Sequence, residues 1–283
     1  MNVIGAMIVY NGEPYVKYAI ESALQHVKYL VVVYGPQKEF LNDKYHDNTA
    51  TILDKLKFKY RERIIVLQPE GNYFENEADQ RNGYLTFIRE ELYCDWLFVI
   101  DSDEFYKPKE IEVLYLFAEK IDKDVILYNF KNFYGRIPEG FIWYKDNPTG
   151  MLKFIRWKDD LQYWDLTRFN KPQVLDNIGD SDHVTLWECP DRMINIGSVV
   201  NCYHYGHVWS EERYVEKLRG SCLRDRFNPE KQELLKLNEE EQKRWIRNHY
   251  PWFQENYPRL MQLRKFTDAH PAFIYKMREE YHV

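Results

Sequence analysis

The chain lacks most of the features that would place it in a specialised class. Its 283 residues hold four cysteines, at positions 94, 189, 202 and 222, and none has the close spacing of a zinc-binding pair. In apolar surroundings such residues act as small hydrophobes, which fits a reducing compartment. No long basic run is present, and the net charge of −6 gives no global electrostatic case for binding nucleic acid. No apolar stretch is long enough to span a membrane. Met1–Val9 is apolar but short, and it lacks the basic start and cleavage pattern of a signal peptide. The chain is therefore expected to be soluble and cytoplasmic, with Met1–Val9 as a first buried strand. Internal repeats and low-complexity segments are missing too.

Aromatic residues are plentiful, at 17% with 23 Tyr and 8 Trp. They suit stacking on sugars or bases, and they fill cores equally well. A hydrophobic content of 45% beside 30% charged residues is ordinary for a globular protein of one large domain, with or without a helical appendage.

The first half alternates strands with helices. Val3–Tyr10 reads as a strand, and Asn11-Gly12-Glu13-Pro14 as a turn opening a helix over Tyr15–Gln25. Tyr29–Tyr34, Arg63–Gln68 and Trp96–Ile100 read as further strands, with helices over Thr49–Lys59 and Glu75–Leu92 between them. Lys109–Lys120 looks helical, Val125–Phe130 extended, and Met151–Trp157 and Met193–Val200 strand-like. From Ser210 the chain turns helical and charged, over Ser210–Gly220, Pro229–Asn248 and Pro258–Phe266. This cadence argues for βαβ units and an α/β fold with a mainly parallel sheet flanked by helices. Two units are expected: an α/β domain over residues 1–225 and a C-terminal helical extension over 226–283. Ligands of such sheets bind beyond the carboxyl ends of the strands, and Asn11, Asp47 and Asp101 each follow a strand or its loop.

Trp96–Ile100 runs straight into Asp101-Ser102-Asp103-Glu104. Two carboxylates at i and i+2 on a strand end can converge on one Mg²⁺ or Mn²⁺, which takes few protein ligands and leaves room for substrate phosphates. Without a cation, such a cluster must be solvated.

Four segments together resemble a family 2 type glycosyltransferase of the GT-A fold. They are Ile8–Tyr15 with Ala19–Leu24, then Asn76–Asn82, then Val99–Phe105, and finally Cys202–His207 with Lys217 downstream. In order they cover most of the chain. The resemblance implies a Rossmann-like GT-A domain and a metal-dependent transferase moving a sugar from a nucleotide-sugar donor, UDP-linked, to a hydroxyl acceptor such as a glycan. It implies a cofactor ion, Mn²⁺ or Mg²⁺, held by Asp103, with Asp101 approaching the ion and the donor, and His204 as a third ligand. Tyr10, Asn11, Glu13, Asp47, Arg81, Asp101 and Lys217 become the donor-binding candidates. Arg81 could clamp phosphate or pair with Asp79 or Glu77 on the surface, and Tyr10 could stack on a base or wall the core. For an inverting reaction, the general base is sought first at Asp182, then at Asp180 and Glu188. The second strand ends in Gly35-Pro36-Gln37, where the family usually places an Asp for the base or ribose; its Asp-x-Thr echo is Asp47-Asn48-Thr49. A homodimer is compatible with this reading. Two rival functions share the fold: a nucleotidyltransferase, which a glycine-rich basic loop after the first strand would favour, and a non-catalytic carbohydrate-binding protein.

Overall fold

The computed structural model describes residues 1–41, 46–136, 141–147, 152–164, 173–177, 183–185, 190–209, 236–249 and 262–282. The first strand, β1 (Val3–Val9), lies inside a seven-stranded sheet. Helix α1 (Val16–Ala23) leads from it to β2 (Tyr29–Tyr34), and α2 (Thr49–Tyr60) leads on to β3 (Ile64–Leu67), so that β1, β2 and β3 lie side by side and parallel. Helix α3 (Glu77–Glu91) then carries the chain back across the sheet to β4 (Trp96–Val99), parallel to β1 on its other side. The strand order thus reverses at β1. The crevice beyond the carboxyl ends of β1 and β4 is where an open α/β sheet accepts ligands.

Both faces of this sheet are covered, which explains why its strands read as unbroken apolar runs. Leu30 and Val32 of β2, with Trp96 and Phe98 of β4, pack in one core under α1, α2 and α4 (Pro108–Lys120). Their neighbours Val31, Val33, Leu97 and Val99 pack in a second core against Ala78, Tyr84, Leu85 and Ile88 of α3. Asn76 caps α3 by accepting the Asp79 amide at 2.8 Å, and Pro108 occupies the first turn of α4.

After β4 the two-residue strand β5 (Glu104–Phe105) leaves the large sheet. Val125–Phe130, expected as one strand, is broken at Tyr128. Its first part is β6 (Val125–Leu127) in the large sheet, and the chain then crosses into a second sheet as β7 (Asn129–Arg136). Strand β8 (Trp143–Asn147) pairs antiparallel with β7, while β9 (Phe154–Arg156) returns to run antiparallel between β4 and β6. Strands β10 (Gln162–Trp164), β11 (Gln173–Asn177) and β12 (His183–Thr185) form a small antiparallel sheet. β13 (Met193–Asn195) closes the edge of the large sheet beside β6. β14 (Asn201–Trp209) lies between β7 and β5.

The helix expected over Pro229–Asn248 appears among the described residues as α5 (Glu239–His249). Asn238 starts it by accepting the Glu241 amide at 3.0 Å, so 236–238 are turn and not helix. Pro258–Phe266 is not helical where it is described. Arg264–Lys265 form β15 on β8, and Phe266 donates its amide to Ile142 at 2.7 Å and buries its ring against Phe133. That buried ring anchors the end of the short strand Arg264–Lys265. The last helix, α6 (Ala272–Tyr281), packs Phe273, Ile274 and Met277 into the first core. Among the described residues no helix is long and apolar enough to cross a membrane. The Ser210–Gly220 segment lies outside the described residues.

Candidate active site

The loops leaving β1 and preceding α2 are braced against each other at the sheet's carboxyl edge. Asn11 is buried and sits at φ 52°, a left-handed conformation that asparagine tolerates better than most residues. The Asp47 carboxylate accepts the amides of Glu13 at 2.8 Å and Thr49 at 2.9 Å, and the Thr49 hydroxyl accepts the Gly12 amide at 2.7 Å. Glu13 in turn accepts the Asn48 amide and the Tyr281 hydroxyl, both at 2.9 Å. Asn11, Glu13 and Asp47 are thus brought together as one framework. Tyr10, beside it, lies with its ring 6.5 Å from Phe40 and its hydroxyl 3.5 Å from His46 Nδ1.

The acidic turn after β4 is built on buried charges. Arg81 is buried on α3, not on the surface; it pairs with Glu77 at 2.9 Å and reaches Asp101 Oδ1 at 3.4 Å. Lys153 Nζ lies 2.6 Å from Asp101 Oδ2 and 3.0 Å from Glu104 Oε1. Glu104 also accepts the Asp101 amide at 3.0 Å and the Tyr106 hydroxyl at 3.3 Å. Burial pushes the Glu104 carboxyl up to about 7, opposed by Lys153 and reinforced by Asp101. For Lys153 burial works against the charge, but the Asp101 and Glu104 carboxylates overcome it and raise its pKa.

Asp103 is buried and meets β14. The pairing of β5 with β14 sets His204 opposite Glu104, and the Tyr205 amide donates to the Asp103 carbonyl at 2.9 Å. This brings His204 Nε2 to 3.6 Å from Asp103 Oδ1. The other imidazole nitrogen, Nδ1, lies 2.7 Å from Asn132 Oδ1 on β7. If Nδ1 carries the proton, it donates to Asn132 and Nε2 is left to face Asp103 as a lone-pair donor. A β-bulge between His204 and His207 places His207 opposite Tyr134, their rings stacked at 4.6 Å.

The donor set fits a divalent cation. Carboxylate and imidazole oriented by an amide are suitable ligands, and the absence of a side chain at Gly206 lets both approach its backbone, since a Cβ there would collide with His204 Nε2 and lie 2.9 Å from Asp103 Oδ2. Among the described residues no group of three His, Cys, Asp or Glu side chains gathers as a metal cage.

Of the expected site residues, Asp103 and His204 come together, Asp101 joins Arg81, and Asn11 joins Asp47 and Glu13. Asp180, Asp182, Glu188 and Lys217 lie outside the described residues. The residue reading overlooked Lys153, Asn132 and Gly206. Lys153 had a signal, as a lone cation inside the apolar run Met151-Leu152-Lys153-Phe154-Ile155.

Among curated proteins none matches the sequence. Solved structures similar to the chain include S. aureus TarS 1-349, at 16% identity and TM-score 0.44 over 89% of this chain and 80% of that one. The same fragment in complex with UDP-GlcNAc matches at 16% identity and TM-score 0.46, over 87% and 79%. A longer S. aureus TarS chain matches at 14% identity and TM-score 0.43, over 90% of this chain and 44% of that one. The family model described as Glycosyl transferase family 2 matches residues 6–171, more than half of the chain, and the protein belongs to that family of glycosyltransferases.

Proposed function

We propose that the protein is a metal-dependent glycosyltransferase that takes a UDP-linked sugar and passes it to a hydroxyl acceptor, a glycan. The reading rests on one observation above the rest: Asp103 and His204, from the last two segments of the family motif set, meet at 3.6 Å against Gly206. Mn²⁺ or Mg²⁺ bound there would act as a Lewis acid on the departing diphosphate. Asn132 holds the His204 ring in the orientation that ligation needs, and Tyr10 with Phe40 offers aromatic surface for the base at the end of β1. Arg81 keeps the Asp101 carboxylate at the crevice, where it meets the donor. Deprotonation of the acceptor hydroxyl falls to Asp182, with Asp180 and Glu188 next in rank, and diphosphate neutralisation to Lys217.

The test is hydrolysis of a panel of nucleotide sugars with and without Mn²⁺. The wild type should turn over one of them only with the ion. Asp103→Asn, which removes charge at constant volume, should lower kcat at least about a hundredfold with an unchanged circular dichroism spectrum. Full activity in that variant would exclude the metal assignment, and use of nucleoside triphosphates in place of sugars would favour a nucleotidyltransferase.

A further inference from the structure

Among the described residues Lys153 is a buried cation to which the proposed function gives no role. Its side chain is 3% exposed, and both of its carboxylate partners belong to the acidic turn. The two oxygens of Asp101 each meet a cation, Oδ2 at Lys153 and Oδ1 at Arg81. The lysine enters just ahead of β9, the strand that runs against its neighbours in the large sheet, and its carbonyl is fixed by the Val99 amide at 2.7 Å. A buried ammonium anchored in this way cannot be parted from its carboxylates without a large desolvation penalty.

We propose that Lys153 is a positioning residue that withholds Asp101 from the divalent cation, so that the ion is taken up together with the donor diphosphate and not ahead of it. The proposal rests on the metal-dependent reading above. With Asp101 held by two cations, the protein offers the ion Asp103 and His204, and an octahedral ion takes its remaining ligands from water and phosphate oxygens. The ammonium also acts directly, because a positive charge in a low-dielectric wall repels a second cation nearby. A site of this design holds the ion weakly until a diphosphate supplies the missing negative charge. It also lets the ion leave with the nucleoside diphosphate after transfer.

Mn²⁺ uptake, followed by the electron paramagnetic resonance of the hydrated ion, tests this without relying on turnover. In the wild type, UDP should tighten Mn²⁺ binding at least about tenfold. Lys153→Met should bind Mn²⁺ alone about tenfold tighter than the wild type, and Lys153→Met/Asp101→Asn should return to the wild-type value. Tight Mn²⁺ binding by the wild type without UDP overturns the proposal, and that arm does not depend on any variant folding. Binding by a folded Lys153→Met that is no tighter than wild type overturns it too, leaving the metal-dependent reading intact as long as UDP still promotes uptake by the wild type. Failure of the wild type to take up Mn²⁺ with or without UDP overturns both.

Discussion

Gly206 shows how a missing side chain can build a site. It lies in the β-bulge of β14, and a Cβ there would strike His204 Nε2 and crowd Asp103 Oδ2. Gly206→Ala should therefore push the imidazole off Asp103 and lower Mn²⁺ affinity by about 10–100-fold. Titration in the presence of UDP measures this, and an unchanged titration would mean that the space beside Gly206 has no part in ligation. Asp101 and Asp103 stood out in the sequence as two carboxylates at i and i+2 directly after an apolar strand, whereas Arg81, on a helix, and His204, inside a strand, entered only through the family resemblance. Gly206 and Asn132 were not legible. A glycine next to a histidine is unremarkable until a third strand sets a carboxylate against both, and Asn132 matters only through a pairing between β7 and β14.

Elements were readable where one element is stabilised by its own pattern. β2 runs over Tyr29–Tyr34 as its apolar run predicts, and α2, α3 and α4 begin and end within two residues of their sequence bounds. What failed was set by distant partners. β5 is two residues long and exists because β14 pairs with it; β15 is held by β8 and by the buried ring of Phe266. Helix α6 is another element whose role depends on contacts far along the chain. Tyr281 donates to Glu13 at 2.9 Å, tying the helix to the loop that leaves β1, and Glu280 accepts Lys17 and Tyr18 of α1. Tyr281→Phe removes the first of these bonds and should cost about 1 kcal/mol, lowering the melting temperature by roughly 2–4 °C. Because Glu13 also holds the amide of Asn48, the looser loop should raise KM for the nucleotide sugar and leave kcat nearly unchanged. A steady-state comparison separates this from a purely structural effect, in which neither constant moves.

At the scale of the whole fold, the described residues include buried titratable groups whose pH effects oppose one another. His26 and His270 are both lowered from 6.5 to about 4 by burial. Their rings stay neutral in the fold: His26 Nε2 is buried without a hydrogen bond, and His270 packs at 4.7 Å from Phe266 with Nδ1 on the Tyr205 hydroxyl. Between pH 6.5 and 4 the unfolded chain therefore binds more protons at these two sites, and acid destabilises the fold. Glu104 has the opposite sign. Its carboxyl, raised from 4.5 to about 7 chiefly by burial, binds a proton in the folded state first, so that in the window between those values acid relieves its cost. Among the described residues the two histidines outweigh the one glutamate, so that their combined effect is to lower stability as pH falls from 6.5 to 5. His26→Leu removes one of the two histidines that make acid destabilising. Thermal unfolding at closely spaced pH values should show the melting temperature falling through this window less steeply in the variant than in the wild type. An equally steep fall in His26→Leu would place the acid sensitivity elsewhere in the fold.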